Sequence, residues 1–132
     1  MMIPPGFSQV TPYIFAEDAV ALINFLIAGF GAEEVQRSTR PDGAIANSIV
    51  RIGQSMVMIS DGNERYRARP GAYYLYVEDA DASVHRALEA GATLEMAVED
   101  MDYGDRQGGV VDPVGNIWWI SQRLEEGAYG DD

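Results

Sequence analysis

Tyr13-Ile14-Phe15-Ala16-Glu17-Asp18-Ala19 returns 61 residues later as Tyr74-Leu75-Tyr76-Val77-Glu78-Asp79-Ala80. Around this pair the rest of the chain falls into two copies. Each heptad is followed by a helical stretch ending at a glycine-alanine pair, Gly31-Ala32 and then Gly91-Ala92. The copies also close alike, with Gly53-Gln54-Ser55-Met56-Val57-Met58-Ile59-Ser60 answered by Gly115-Asn116-Ile117-Trp118-Trp119-Ile120-Ser121. One such match is accidental; a run of them in the same order is a duplicated unit.

Each unit predicts βαβββ. In the first, Val10 to Phe15 has the β-branched and aromatic content of a strand. Asp18 caps a helix over Ala19 to Phe30, in which Ile23, Leu26, Ile27 and Phe30 form a buried stripe. Leu22 and Phe25 widen the stripe, so the helix is expected to meet a broad core face or a second surface such as a partner subunit. Gly31 stops the helix as a left-handed C′ residue. Strands follow at Glu34 to Ser38, Ala44 to Ile52 and Met56 to Ser60. Pro41-Asp42-Gly43 and Gly53-Gln54 make the turns.

The second unit places strands at Ala72 to Val77, Thr93 to Val98, Arg106 to Val111 and Ile117 to Gln122. Asp79 or Asp81 caps its helix, which Val84, Ala87 and Leu88 pin to the sheet. Asp112-Pro113-Val114-Gly115 fits a type I turn. The expected organisation is module one at about 8–61, a polar linker at 62–71, module two at about 72–123 and an acidic tail at 124–132. Two such sheets are expected to pair at their edges and leave a concave face between them for a ligand.

Composition narrows the function. The chain has 132 residues, 47% of them hydrophobic, a length and content that suit one domain with a real core. It has no cysteine, which excludes disulfides, thiolate metal sites and cysteine nucleophiles and suits a reducing cytoplasm. A net charge of −12 repels phosphate backbones and anionic membranes. No run is long enough to span a bilayer, and the N-terminus has no signal-peptide pattern. The tail, with Glu125, Glu126, Asp131 and Asp132, has the composition of a frayed end. Tyr129 is its one residue suited to docking on a neighbour.

The duplicated pattern, Val77-Glu78-Asp79, and Asp112-Pro113-Val114-Gly115-Asn116-Ile117-Trp118-Trp119 resemble the vicinal oxygen chelate superfamily. Glyoxalase I, extradiol dioxygenases and bleomycin-resistance binding proteins belong to it. Val50-Arg51-Ile52-Gly53, Met58-Ile59-Ser60-Asp61, Tyr103-Gly104-Asp105-Arg106 and Trp118-Trp119 resemble its PhnB-like branch, although Asn47 stands where that branch often has histidine. The resemblance covers about residues 8 to 123. It implies an α+β glyoxalase/bleomycin-resistance-like half-open barrel of two tandem βαβββ modules, and a homodimer. It also assigns the superfamily's four metal-ligand positions to Thr11, Met58, Ala72 and Trp119, which are no ligand set for a divalent ion. No metal and no cofactor are expected; no glycine-rich strand-to-helix fingerprint is present.

Little is left for catalysis. The single histidine, His85, lies off the apolar stripe of its helix and is expected in solvent. Glu17, Asp18, Glu78, Asp79 and Asp81 sit at helix starts, where negative charge suits the dipole. Glu99, Asp100 and Asp102 form a solvated acidic loop. No catalytic residue is assigned.

The rings carry more information. Tyr13, Tyr74, Tyr76 and Trp119 fall on one strand parity, with Met56 and Met58 as an adaptable wall. Facing a cleft, they suit planar or cationic ligands; facing inward, they are ordinary core. Arg51 is either a ligand contact or a surface residue. Arg106 is expected to brace its hairpin through Asp105 or Asp112, and Gly108-Gly109 marks a bulge or a close approach. The expected function is a metal-independent small-molecule binding protein, with Tyr13, Arg51, Met56, Met58, Tyr74, Tyr76 and Trp119 on the ligand. A glyoxalase-like lyase or dioxygenase and an interaction module without a ligand remain as rivals.

Overall fold

The computed structural model describes residues 1–130. Asp131 and Asp132 of the expected acidic tail lie outside the described residues. The elements run β1 (Tyr13–Ala16), α1 (Ala19–Phe30), β2 (Glu33–Thr39), β3 (Ile45–Ile52), β4 (Ser55–Asp61), β5 (Ala72–Tyr76), α2 (Ala80–Glu89), β6 (Thr93–Asp100), β7 (Asp105–Val111) and β8 (Ile117–Arg123). They form two four-stranded sheets, ordered β1-β4-β3-β2 and β5-β8-β7-β6. In each, the first strand runs parallel to the last and the rest are antiparallel. The tandem βαβββ arrangement is as the sequence predicts, and neither sheet closes into a barrel.

Three expectations need correction. The first strand begins at Tyr13 instead of Val10. Pro12 has no N–H to donate, though its carbonyl still accepts from Met58 N at 2.9 Å. Second, no ladder joins the two sheets. The outer edge of β1 instead meets the linker, through Arg69 N to Phe15 O (3.1 Å), while Gly62 N to Ala16 O (2.9 Å) continues the β1–β4 ladder. Third, Ile27 is exposed, and the buried stripe of α1 is Leu22, Ile23, Phe25, Leu26 and Gly29.

The wide apolar face of α1 is used within the chain. It packs on the first sheet and on α2. Where the helices meet, a Cβ on Gly29 would lie 3.4 Å from Ala90 Cβ, so the missing side chain permits the close crossing. Phe30 reaches across to Trp118 edge-on, with centroids 5.1 Å apart. The helix starts repeat as well. Asp18 and Asp79 cap their own helices through Ala21 N and Ala82 N, at 3.0 and 3.1 Å. The first helical N–H groups, of Ala19 and Ala80, donate to Asp61 and Gln122 on the last strand of each module.

The β7–β8 turn is organised by Asp112, which is buried. Its carboxylate accepts from Val114 N, Asn116 N, Asn116 Nδ2 and Trp118 Nε1, all between 2.8 and 3.0 Å. Asn116 Oδ1 in turn accepts from Gly71 N at 2.9 Å, tying the turn to the entry of β5. Asp112→Ala should leave several buried donors without partners and cost at least about 2 kcal/mol. Urea unfolding should show a lowered midpoint and near-UV circular dichroism a weakened tryptophan signal. An unchanged midpoint would mean that water can replace this carboxylate.

Candidate functional site

Side chains alternate along a strand, so each sheet has a helix-covered face and a free face. Ile14, Val50, Val57 and Ile59 of the first sheet, and Trp118, Ile120 and Val110 of the second, lie in the helix-side core. Their neighbours point the other way. Tyr13 pairs with Met58 and Arg51 with Met56 across the first sheet. Tyr74 pairs with Trp119 and Tyr76 with Ser121 across the second.

The seven predicted contact residues therefore all take the free-face parity, but they do not converge on one cleft. Tyr13, Arg51, Met56 and Met58 share one sheet; Tyr74, Tyr76 and Trp119 share the other. No hydrogen bond or ring contact among the described residues joins the two groups. A cavity of about 580 Å³ opens where the modules meet, between the Gly53-Gln54 turn, Phe30, Arg86 and the edge of β5. Tyr74 and Tyr76 line it; the four first-sheet residues do not.

On the first sheet, Tyr13 Oη lies 2.6 Å from Ser60 Oγ, which donates to Ala46 O at 2.6 Å. Tyr13 stacks on Phe15, and Phe15 on Tyr66 of the linker, with centroids 4.8 and 5.7 Å apart. Met56 is buried beneath the N-terminal segment, near Gly6. Arg51 reaches Glu33 at 3.2 Å on the surface.

The second sheet repeats the tyrosine–serine pair, with Tyr74 Oη 3.2 Å from Ser121 Oγ, and adds a carboxylate. Asp105, fully buried, accepts at Oδ2 from Tyr74 Oη (2.5 Å), Tyr129 Oη (2.7 Å) and Ser121 Oγ (2.9 Å). Its Oδ1 pairs with Arg123 Nη1 at 2.9 Å. Burial pushes the Asp105 carboxyl up, but these four donors together outweigh it and hold the group at about 2. Tyr74 is pushed up by burial and by its bond to that carboxylate. Tyr103 donates to Gln107 beside the cluster. The ring of Trp119 lies against Gly109, where any Cβ would fall 2.5 Å from its Cζ3.

Several residues read differently from the expectation. Gly108-Gly109 keeps unbroken register with β8, and the irregularity lies on its other side, where β6 shifts register between Leu94 and Met96 and between Met96 and Glu99. Gly109 seats Trp119, and Gly108 admits Val84 and Val98. Arg106 braces α2 and β6 through Asp81 (2.7 Å) and Asp100 (3.0 Å) rather than Asp105 or Asp112. Tyr129, in a tail expected to be frayed, is docked within the chain. His85 lies exposed beside Glu89 at 3.2 Å. The sequence offers Asp105 only as a brace for Arg106, not as a site residue. Its pairing with Arg123 is visible only once β7 and β8 are aligned.

Among the described residues, no three His, Cys, Asp or Glu side chains converge. Met58 and Trp119 do face outward from their sheets, as does the strand parity of Ala72, while Thr11 precedes β1. A hydroxyl, a thioether, a methyl and an indole do not fit a divalent ion.

Comparison with solved structures identifies the architecture. TioX from Micromonospora sp. ML1 superposes with a TM-score of 0.76 at 24% identity, over 89% of this chain and 99% of that one. A glyoxalase/bleomycin resistance protein/dioxygenase superfamily member from Sphaerobacter thermophilus gives 0.69 at 22% identity, over 88% and 98%. TnmS3, an antibiotic binding protein from Streptomyces sp. CB03234, gives 0.71 at 20%, over 93% and 98%. The fold is thus that of the glyoxalase/bleomycin resistance protein/dioxygenase superfamily. No family model matches the chain. An uncharacterized protein of Mycobacterium bovis, Mb0911c, is 35% identical over 128 residues, covering 89% of this chain and 84% of that protein, and the chain belongs to one family with it.

A carboxyl held below its ordinary value of 3.8 stabilises the fold above that pH, and the contribution drains away as pH falls toward about 2. The stability advantage of the wild type over Asp105→Asn should therefore shrink by about 2 kcal/mol between about pH 5 and about pH 2. Urea titrations of both proteins across that range check this. Parallel curves would mean that the four donors do not grip the carboxylate.

Proposed function

We propose that the protein is a metal-independent, cytoplasmic small-molecule binding protein that holds an aromatic ligand on the free faces of its sheets. The observation that carries this is Asp105: a buried carboxylate ringed by hydroxyl donors, on a sheet face that also presents Tyr74, Tyr76 and Trp119. Tyr74 and Tyr76 are 44% and 56% exposed, so their rings are available for stacking. Trp119, set against Gly109, is a flat platform whose seat is fixed by backbone. Tyr13 and Met58 offer a second, less polar surface on the first sheet. Arg51 stands at its rim, and Met56 supports it from below.

An antibiotic binding protein among the structural neighbours supports a ligand-holding role for this fold. The donor set at Thr11, Met58, Ala72 and Trp119 supports metal independence. The free faces of one chain lie apart, and a second copy in a homodimer would bring one module's face toward another's. The short motifs around Arg51, Asp61, Asp105 and Trp119 support placement in the PhnB-like branch.

Protein purified without chelator should carry well below one metal ion per chain by elemental analysis. Stoichiometric zinc, nickel or iron would restore the lyase or dioxygenase reading. A thermal-shift screen of planar aromatics should raise the melting temperature of the wild type, as a ligand specific for the folded state does. Trp119→Ala should abolish the shift. Affinity that survives this change would place the ligand elsewhere.

A further inference from the structure

The chain does not end at β8. Leu124 N donates to Gly104 O at 2.9 Å, and the tail then turns back through Gly127 (φ 98°). This brings the Tyr129 ring onto the free face of the second sheet. Its hydroxyl lies 2.7 Å from Asp105 Oδ2 and 2.7 Å from Tyr76 Oη. Since Tyr129 donates to the carboxylate, it accepts from Tyr76. The Arg123 guanidinium lies over its ring at 4.2 Å, and Tyr103 meets it edge-on at 6.4 Å. Every one of these contacts is made by the phenol and none by the peptide. The residue is nonetheless 47% exposed, unlike a core tyrosine.

We propose, building on the binding function above, that this seat is a site for neutral phenolic molecules, and that Tyr129 fills it until such a molecule displaces the tail. The chemistry selects the class. One oxygen in the seat meets an acceptor, Asp105 Oδ2, and a donor, Tyr76 Oη, which is the complement of a phenol hydroxyl. Cations are not favoured, because Arg123 already balances the Asp105 charge at 2.9 Å. Carboxylates are disfavoured by Asp105 itself. The guanidinium above the ring stacks on any electron-rich arene.

The tail is a weak competitor by construction. Five residues, two of them Gly127 and the backbone-anchored Leu124, separate Arg123 from Tyr129. A short tether of this kind presents its end at an effective concentration of order millimolar. Free phenol must overcome that, so removing the ring should expose the intrinsic affinity.

Isothermal titration of the full chain with p-cresol and with 4-methylanisole, which keeps the ring but lacks the O–H, tests this. Tyr129→Ala should bind p-cresol about tenfold or more tightly than the wild type. The same variant should prefer p-cresol to 4-methylanisole by about tenfold or more, because the ether leaves Asp105 without its donor. This ligand-side deletion needs no substitution at Asp105, so misfolding cannot mimic it. Equal p-cresol affinity in wild type and Tyr129→Ala overturns the displacement. Weaker binding in the variant makes Tyr129 a wall of the site and also overturns it. Equal affinity for the two probes overturns the phenol. If p-cresol fails in both proteins while other planar aromatics bind both and are lost with Trp119→Ala, only this inference falls. If nothing binds any variant, the binding function falls with it.

Discussion

Adjacent residues of a strand point to opposite faces, and each sheet here has a helix on only one of them. Trp118 and Trp119 show the consequence. Trp118 is buried against Phe30 and Tyr73 and donates to Asp112. Trp119, one residue on, lies against Gly109 on the free face. The same parity sends Ile14 inward and Tyr13 outward, and Leu75 inward with Tyr74 and Tyr76 outward. A register slip of one residue would exchange core and site in either module, so the packing of the helices is also what orients the site.

The duplication explains what the modules share, and Asp105 explains where they part. Tyr13 with Ser60 and Tyr74 with Ser121 are one hydroxyl pair made twice, at the same separation along the chain. Both modules are followed by a segment that returns a tyrosine to the free face, Tyr66 in the linker and Tyr129 in the tail. On the first sheet, Tyr66 stacks on the Phe15 ring, with the Arg65 guanidinium over its own ring. On the second, Tyr129 finds a carboxylate. Stacking alone tolerates many partners, whereas a buried charged acceptor penalises any partner that brings no donor. On the proposed reading, the second face is accordingly the more selective of the two.

Much of this was open to reading in the sequence because it rests on short-range regularities. Strand parity, the caps Asp18 and Asp79, Gly31 and the Asp112 turn all depend on residues within a few positions of each other. The outward aromatic set was found in the same way. What escaped was long-range. Asp105 meets Tyr74, Ser121 and Arg123 only after three strands align, and nothing in its immediate neighbours marks it as buried. The periodicity of α1 admits two neighbouring stripes, one of them including Ile27, and packing against the first sheet and α2 selects between them. Glycine and acidic residues dominate the tail, a composition that predicts fraying. One aromatic ring with two hydrogen bonds was enough to override that composition.

The acidic surface also bears on Asp105. In a chain of net charge −12, an additional buried carboxylate is electrostatically unwelcome. It remains ionised because Arg123 and three hydroxyls lie within hydrogen-bonding distance, close enough to outweigh both the desolvation and the diffuse repulsion. Two of those hydroxyls, from Tyr74 and Ser121, belong to strands and are fixed. The third comes from Tyr129 on a short tail and is the one that can be exchanged without disturbing a strand. A carboxylate that needs a third hydroxyl donor, supplied from a detachable segment, stays satisfied only if whatever replaces that segment brings an O–H of its own. The electrostatic demand that stabilises the second sheet is therefore also a chemical filter on what can occupy its free face.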